Sequence, residues 1–244
     1  MDTIGANLQA VRRRVANAAQ ACGRNPEDIG LIAVSKSFGV GAVAAAHAHG
    51  QAAFGESYVQ EGVAKIAAIR DPAIEWHFIG PIQSNKTRMI AEHFAWVHSI
   101  DRLKIAQRLS AARAAGLAPL QVCIQVNIGA EHSKSGVAAG ETLALARAVA
   151  GLPRLKLRGL MAIPPASSDY AQQRRYFAQL RQLKDAIVSA GVALNTLSMG
   201  MSDDFEAAIA EGATLVRVGT AIFGLRQKPL ATENTEYSEK PVES

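Results

Sequence analysis

The sequence predicts one α/β domain, a single (β/α)8 TIM barrel with an extra N-terminal helix. Three observations predict it. Eight short apolar, β-branched runs alternate with helical patterns, and eight such units close a barrel. The chain has 244 residues and is 49% hydrophobic, a length and composition that suit one large α/β domain. No G-x-G-x-x-G joins a strand to a helix, as it would in a doubly wound dinucleotide-binding sheet.

The elements follow in order. Ile4, Leu8, Val11, Val15 and Ala18 recur at three- and four-residue steps, so the chain opens with an amphipathic helix. Gly23 can end it, and Asn25-Pro26 marks a turn. Residues 31–35 form the first strand and 39–50 an Ala-rich helix. Strand and helix then alternate: 52–56 and 58–69, 75–80 and 84–93, 95–100 and a long helix from Asp101. The fifth strand, 120–127, is the clearest, with a helix over 140–150. The last units are 156–163 with 170–190, 196–198 with 203–211, and 214–218. The barrel accounts for residues 1–225. Residues 226–244 carry Pro229, Pro241 and four Glu, with few large apolar residues, and read as a polar, disordered tail.

Composition excludes several classes. The formal charge is +5, but the basic residues are scattered apart from Arg12-Arg13-Arg14, which reads as a solvated helix face. No aromatic residues interleave with basic ones, so nucleic acid is not the expected partner. Cys22 and Cys123 lack metal-ligand spacing and read as free thiols in a reducing compartment. The N-terminus lacks a signal-peptide pattern, and no run reaches the length of a membrane span. The expectation is a soluble, cytoplasmic protein.

Barrel sites lie where strands end. The first strand ends on Lys36, and a lysine facing apolar walls at a barrel mouth is a usable amine nucleophile. Glu56 and Ser57 follow the second strand, Met161 lies late in the sixth, and Ser198 and Ser202 follow the seventh. Arg217, Gly219 and Thr220 end the eighth. Loops seven and eight commonly hold a phosphate in barrels. Gly200 and Gly219 allow close backbone approach, and the Ser202 and Thr220 hydroxyls can donate. Ser202 with Asp203 and Asp204 also reads simply as a helix start, with Glu206 as capping-box partner of Asp203. A phosphate site facing a lysine amine points to pyridoxal 5′-phosphate (PLP), held as a Schiff base on Lys36. Arg217 suits the pyridine nitrogen. A guanidinium keeps its proton, so the ring nitrogen stays unprotonated and the ring is a weak electron sink.

The chain resembles the pyridoxal phosphate homeostasis protein family over about residues 3 to 225. The stretches that carry the resemblance are Ala33-Val-Ser-Lys36, Phe54-Gly-Glu56 with Tyr58-Val-Gln-Glu61, and Trp76-His-Phe-Ile-Gly80-Pro-Ile-Gln83-Ser-Asn85-Lys86. They continue with Ser133-Lys-Ser-Gly136, Arg158-Gly-Leu-Met161, Leu197-Ser-Met-Gly-Met-Ser202-Asp203-Asp204 and Arg217-Val-Gly219-Thr220-Ala-Ile-Phe-Gly224. The resemblance implies a fold-type III PLP barrel like the alanine racemase N-terminal domain. It implies Lys36 as the cofactor lysine, Ser202, Gly219 and Thr220 at the phosphate, and Arg217 near the ring nitrogen. It also implies a carrier or regulator of vitamin B6 and amino-acid balance, with PLP-dependent apo-enzymes as possible partners. The chain departs from the family at Ser57, where Asn is usual near the cofactor.

Three functions stay open at this point: a non-catalytic PLP carrier, a PLP-dependent amino-acid racemase, and a phosphate- or nucleotide-binding barrel without PLP. Only 20 residues follow Gly224, too few for the second domain that supplies the opposite proton donor in alanine racemase. Tyr58 would have to replace it. The expectation is therefore a monomeric carrier with no catalytic residues and no metal. Lys86 is read either as a helix-surface lysine or as a gate for cofactor release, and Lys134 as a solvated loop charge. His77 is read as a satisfied core residue. His47 and His49, two apart on a helix, share no face for a metal.

Overall fold

The structure, a computed structural model, describes residues 3–129 and 135–225. Helix α1 spans Thr3–Ala21. The units that follow are β1 Gly30–Val34 with α2 Val40–Ala48, β2 Ala53–Glu56 with α3 Val59–Ile69, and β3 Glu75–Phe78 with α4 Thr87–His93. Next come β4 Trp96–Ile100 with α5 Leu103–Ala112, β5 Leu120–Gln125 with α6 Thr142–Ala150, and β6 Leu155–Met161 with α7 Tyr170–Ser189. The last are β7 Thr196–Ser198 with α8 Phe205–Ala210 and β8 Leu215–Val218 with the single turn α9 Thr220–Phe223. Every strand pairs in parallel with the next, and β8 returns to β1 with Gly30 opposite Leu215 and Ala33 opposite Val218. Parallel neighbours need a crossover, which the helices provide, and closure leaves no free sheet edge.

Three strands are shorter than their apolar runs: the sixth stops at Met161, two residues before its run does, and the third and fifth also fall short. The third leaves the sheet after Phe78, although the Ile79 amide still donates to the Glu56 carbonyl at 2.8 Å. The fifth ends at Gln125, and Val126 makes only an isolated bridge to Val137. In both places the chain stays apolar past the ladder because it is turning towards the barrel mouth, so burial outlasts strand pairing. The expected 226–244 tail lies outside the described residues.

The apolar interior has two parts. Alternate strand residues, Phe54, Trp76, Phe78, Val97, Val122 and Val216 among them, join the helices in one large cluster between sheet and helices. Ile32, Val34, Cys123 and Met161 are also buried but stand apart from that cluster. They belong to the barrel interior, which is shared with the polar His77, His98, Ser198 and Arg217.

Helix α1 buries Leu8, Val11, Val15 and Ala19 and packs against α2, α8 and α9, across the seam where β8 meets β1. The arginine triplet is not simply a solvated face. Arg12 donates to the His49 and Gly50 carbonyls at 2.9 and 2.8 Å. Arg14 pairs with Glu206 at 2.7 Å and lies 4.5 Å from the Phe205 ring centroid. Two of the three arginines therefore dock α1 on the barrel. Among the described residues no helix is long and apolar enough to cross a membrane.

Candidate functional site

Lys36 lies two residues beyond the end of β1 and is half-buried. The next residue, Ser37, has φ 68°, a left-handed conformation that costs a non-glycine residue roughly 1 kcal/mol. Its amide donates to Glu61 Oε1 at 2.6 Å, and the Phe38 amide closes the turn on the Ser35 carbonyl at 3.0 Å. Behind the turn sits Lys65, an α3 side chain on the buried Val59–Gly62–Lys65 face. Its ammonium donates to the Ser35 carbonyl at 2.8 Å, to Glu56 Oε1 at 2.7 Å and to Glu61 Oε1 at 2.6 Å. Ser35 Oγ also donates to Glu56 Oε1, at 2.6 Å. The segment that presents Lys36 is thus clamped from α3 and β2. Burial pushes the Glu56 carboxyl up, opposed by Lys65 and Ser35.

On the neighbouring strand β8, where it pairs with Ile32 of β1, Arg217 is 3% exposed. It donates from Nη1 to Ser198 Oγ at 2.8 Å and from Nη2 to the Ala162 carbonyl at 3.0 Å. Burial pushes its pKa down to about 10, with Asp204 and Cys123 opposing, so the guanidinium remains cationic at neutral pH. The Arg217 amide donates to the Gly200 carbonyl at 2.9 Å, which ties loop seven to β8. Gly200 has φ +94°, and a Cβ there would run into Phe205 and Ala208. Asp204 Oδ1 accepts from the Met201 amide at 2.6 Å. The capping box from Asp203 to Glu206 does not form: the helix starts one residue later, with Asp204 as N-cap, and Glu206 pairs with Arg14.

These elements surround one cavity of about 220 Å³. Lys36, Ser57, Ser202, Arg217, Gly219 and Thr220 line it, so six residues from four strand ends converge on one space. Met161 is fully buried on β6, opposite Ser198 in the β6–β7 register, and does not line it. Ser57 gets close because Gly80 has no side chain: a Cβ on Gly80 would overlap the Ser57 carbonyl. Lys86 is half-exposed in the turn before α4 and does not line the cavity. Lys134 lies outside the described residues.

His77 is a satisfied core residue, as its position in the strand predicts. It is 1% exposed and bonded to Glu75 and His98, both at 2.9 Å. Two parts of the arrangement escape a reading of strand ends: His98, which bonds Ser198 at 2.8 Å, and Lys65. Both carried a signal. His77 pairs with Trp96 in the β3–β4 register, and His98, two residues further along β4, shares that face of the sheet. Glu61 and Lys65 have the i,i+4 spacing of a helical ion pair. Among the described residues no His, Cys, Asp and Glu group could hold a metal.

Comparison with known proteins places this geometry. The family profile "Alanine racemase, N-terminal domain" matches residues 6–227. A pyridoxal phosphate homeostasis protein of Pseudomonas aeruginosa is 58% identical over 226 residues, covering 93% of this chain and 97% of that one. The structure of PipY from Synechococcus elongatus with PLP bound superposes with a TM-score of 0.80 at 36% identity, covering 91% of this chain and 100% of that chain. Alanine racemase from Corynebacterium glutamicum shares the fold, with a TM-score of 0.68 at 20% identity over 99% of this chain and 65% of that chain.

Proposed function

The chain belongs to the pyridoxal phosphate homeostasis protein family, and from that premise we propose that it binds, buffers and hands on PLP without turning over a substrate. The convergence of Lys36, Ser202, Thr220 and Arg217 on one cavity carries this reading. The donor set fits the cofactor: an amine for its aldehyde, two hydroxyls beside Gly219 for its phosphate, and a buried cation for its ring nitrogen. When bound, PLP supplies an aldehyde that condenses with an amine and releases water.

Each residue then has a role. Lys36 is the covalent tether, fixed by the Ser37 turn and the Lys65 cluster. Ser202, Gly219 and Thr220 bind phosphate. Arg217 donates to the ring nitrogen and keeps it unprotonated. Ser57 borders the site, and Met161 backs it through its place beside Ser198. A racemase would need a second proton donor across the ring. Tyr58, the side chain considered for that role, is 55% exposed and does not line the cavity, which supports the carrier reading. Two free cysteines support a reducing compartment, the cytoplasm, where PLP-dependent apo-enzymes would receive the cofactor.

The test is transfer. Loaded protein mixed with a PLP-dependent apo-enzyme should restore that enzyme's activity while losing its own absorption, and should racemise no amino acid. Racemisation at enzymatic rates would sink the carrier reading.

A further inference from the structure

The barrel interior contains a continuous polar chain that PLP binding alone does not require. Arg217 Nη1 meets Ser198 Oγ at 2.8 Å, and Ser198 Oγ lies 2.8 Å from His98 Nδ1. His98 Nε2 lies 2.9 Å from His77 Nδ1, and His77 Nε2 lies 2.9 Å from Glu75 Oε1. The line runs from the cavity, across β8, β7, β4 and β3, to the first residue of β3. There the Glu75 side chain is half-exposed at the opposite end of the barrel.

Proton positions along this line follow from donor and acceptor counts. Arginine only donates, so Ser198 Oγ accepts from it. The one Ser198 proton then goes to its other partner, His98 Nδ1. A neutral imidazole with an accepting Nδ1 carries its proton on Nε2, so His98 donates to His77 Nδ1. By the same rule His77 donates from Nε2 to the Glu75 carboxylate. Starting from Glu75, an acceptor, gives the same assignment in reverse. Both histidines are neutral, both are Nε2–H tautomers, and every hydrogen bond points from Arg217 towards Glu75.

The surroundings agree. Burial pushes His77 down and His98 well down, and the bond from His77 holds Glu75 low. The Trp96 ring centroid is 5.5 Å from His77 and 5.6 Å from His98. The other ionisable groups that bear on the chain are Arg158 near Glu75, Asp204 near Arg217, and Cys123, whose thiol burial pushes up to about 12. Barrel interiors are usually filled by branched apolar side chains, and a partly satisfied polar chain would be costly there. In this chain each member has its partner.

We propose that Ser198, His98, His77 and Glu75 form a one-directional hydrogen-bonded chain that fixes the Arg217 guanidinium towards the cavity, which makes Ser198 and His98 positioning residues for the ring nitrogen of PLP. This rests on the PLP reading above. The chain occupies one Arg217 nitrogen and the Ala162 carbonyl occupies another, so the guanidinium cannot swing towards Asp204 or the phosphate loop. Glu75 supplies the anionic end that polarises the whole line.

Nitrogen-15 NMR of the cofactor-free protein tests the chain directly. His77 and His98 should both be neutral Nε2–H tautomers between about pH 6 and about pH 8, where a free histidine titrates. Ser198→Ala should release the His98 tautomer, weaken PLP binding about tenfold, a 1.4 kcal/mol change, and shift the absorption of the bound cofactor. Lys36 should still be fixed by borohydride. His98→Leu should behave alike, whereas His98→Gln, which can accept and donate in the same line, should restore most of the affinity. Circular dichroism melting would confirm that each variant is folded. A His98 protonated on Nδ1, or cationic at neutral pH, overturns the chain. Unchanged PLP affinity and absorption in folded Ser198→Ala and His98→Leu overturns the positioning role. Failure of the wild-type protein to bind PLP overturns the proposed function and, with it, the role towards the ring, whereas the tautomers are read without cofactor and stand or fall separately.

Discussion

Lys65 and Glu56 form a buried ion pair, 2.7 Å from Nζ to Oε1, directly behind the turn that presents Lys36. Lys65 is 4% exposed and Glu56 fully buried. Removing one member of a buried pair strands the other charge. Lys65→Met should therefore destabilise the fold by about 3–5 kcal/mol in urea unfolding. It should also weaken cofactor attachment by loosening Glu61 and the Ser37 turn. A loss below about 1 kcal/mol, the range of surface pairs, would contradict the burial argument.

Glu56 has a pH signature of its own. Its Oε2 has no hydrogen-bond partner among the described residues, and burial raises its pKa above the ordinary 4.5. A carboxyl raised in the folded state favours folding when protonated. That contribution is complete below the unfolded pKa and is lost as pH rises through the folded value. Glu56→Gln should flatten the stability profile in that window, measured as melting temperature against pH. An identical profile in wild type and variant would contradict the assignment.

Arg217 should show stability and function moving apart. It is a buried cation, and an apolar replacement would strand Ser198 Oγ and the Ala162 carbonyl, whereas lysine keeps the charge and a donor without the planar fork. Arg217→Lys should keep most of the melting temperature while weakening PLP binding at least about tenfold, the 1.4 kcal/mol equivalent. Loss of both together would make Arg217 a folding residue instead.

Ser57, where the family resemblance implies Asn, lines the cavity. Ser57→Asn should tighten PLP binding or shift the absorption of the bound form, since the longer amide reaches further in. Gly80→Ala should push the Ser57 backbone away and cost about 1–3 kcal/mol, the usual penalty of forced overpacking. An unchanged spectrum in Ser57→Asn would remove position 57 from the site.

The two thiols should separate by reactivity. Cys22 is exposed, whereas Cys123 is buried with its pKa raised to about 12. A thiolate-selective reagent should titrate one thiol in the native protein and two after denaturation. Rapid modification of both in the native state would contradict the burial of the barrel interior.

Most of the fold was legible in the sequence because each strand is a compact apolar run and each helix has its own period. The barrel count, the Lys36 strand end and the two loops at Ser202 and Gly219 all follow from local pattern plus one topological rule. The ends of β3 and β5 were not legible, because the half-buried Ile79 and the buried Val126 stay apolar after leaving the ladder. The Glu75–His77–His98–Ser198 line was hidden for a different reason. Its members are 100 residues apart between His98 and Ser198, and only closure of the barrel brings those strands to one axis. Lys65 was hidden because a lysine on an α3 face reads as solvated until Glu56 and the Ser35 carbonyl are known to meet it. Arg12 and Arg14 escaped likewise, since their partners come from the turn after α2 and from α8 with the loop before it.

The central claim is that Lys36 tethers PLP, and it can be measured in one experiment. Purified protein incubated with PLP, reduced with borohydride and digested should yield a single pyridoxyl-labelled peptide containing Lys36, and Lys36→Ala should yield none. Label on Lys65, Lys86 or another lysine in its place, or a protein that takes up no PLP, would contradict the account.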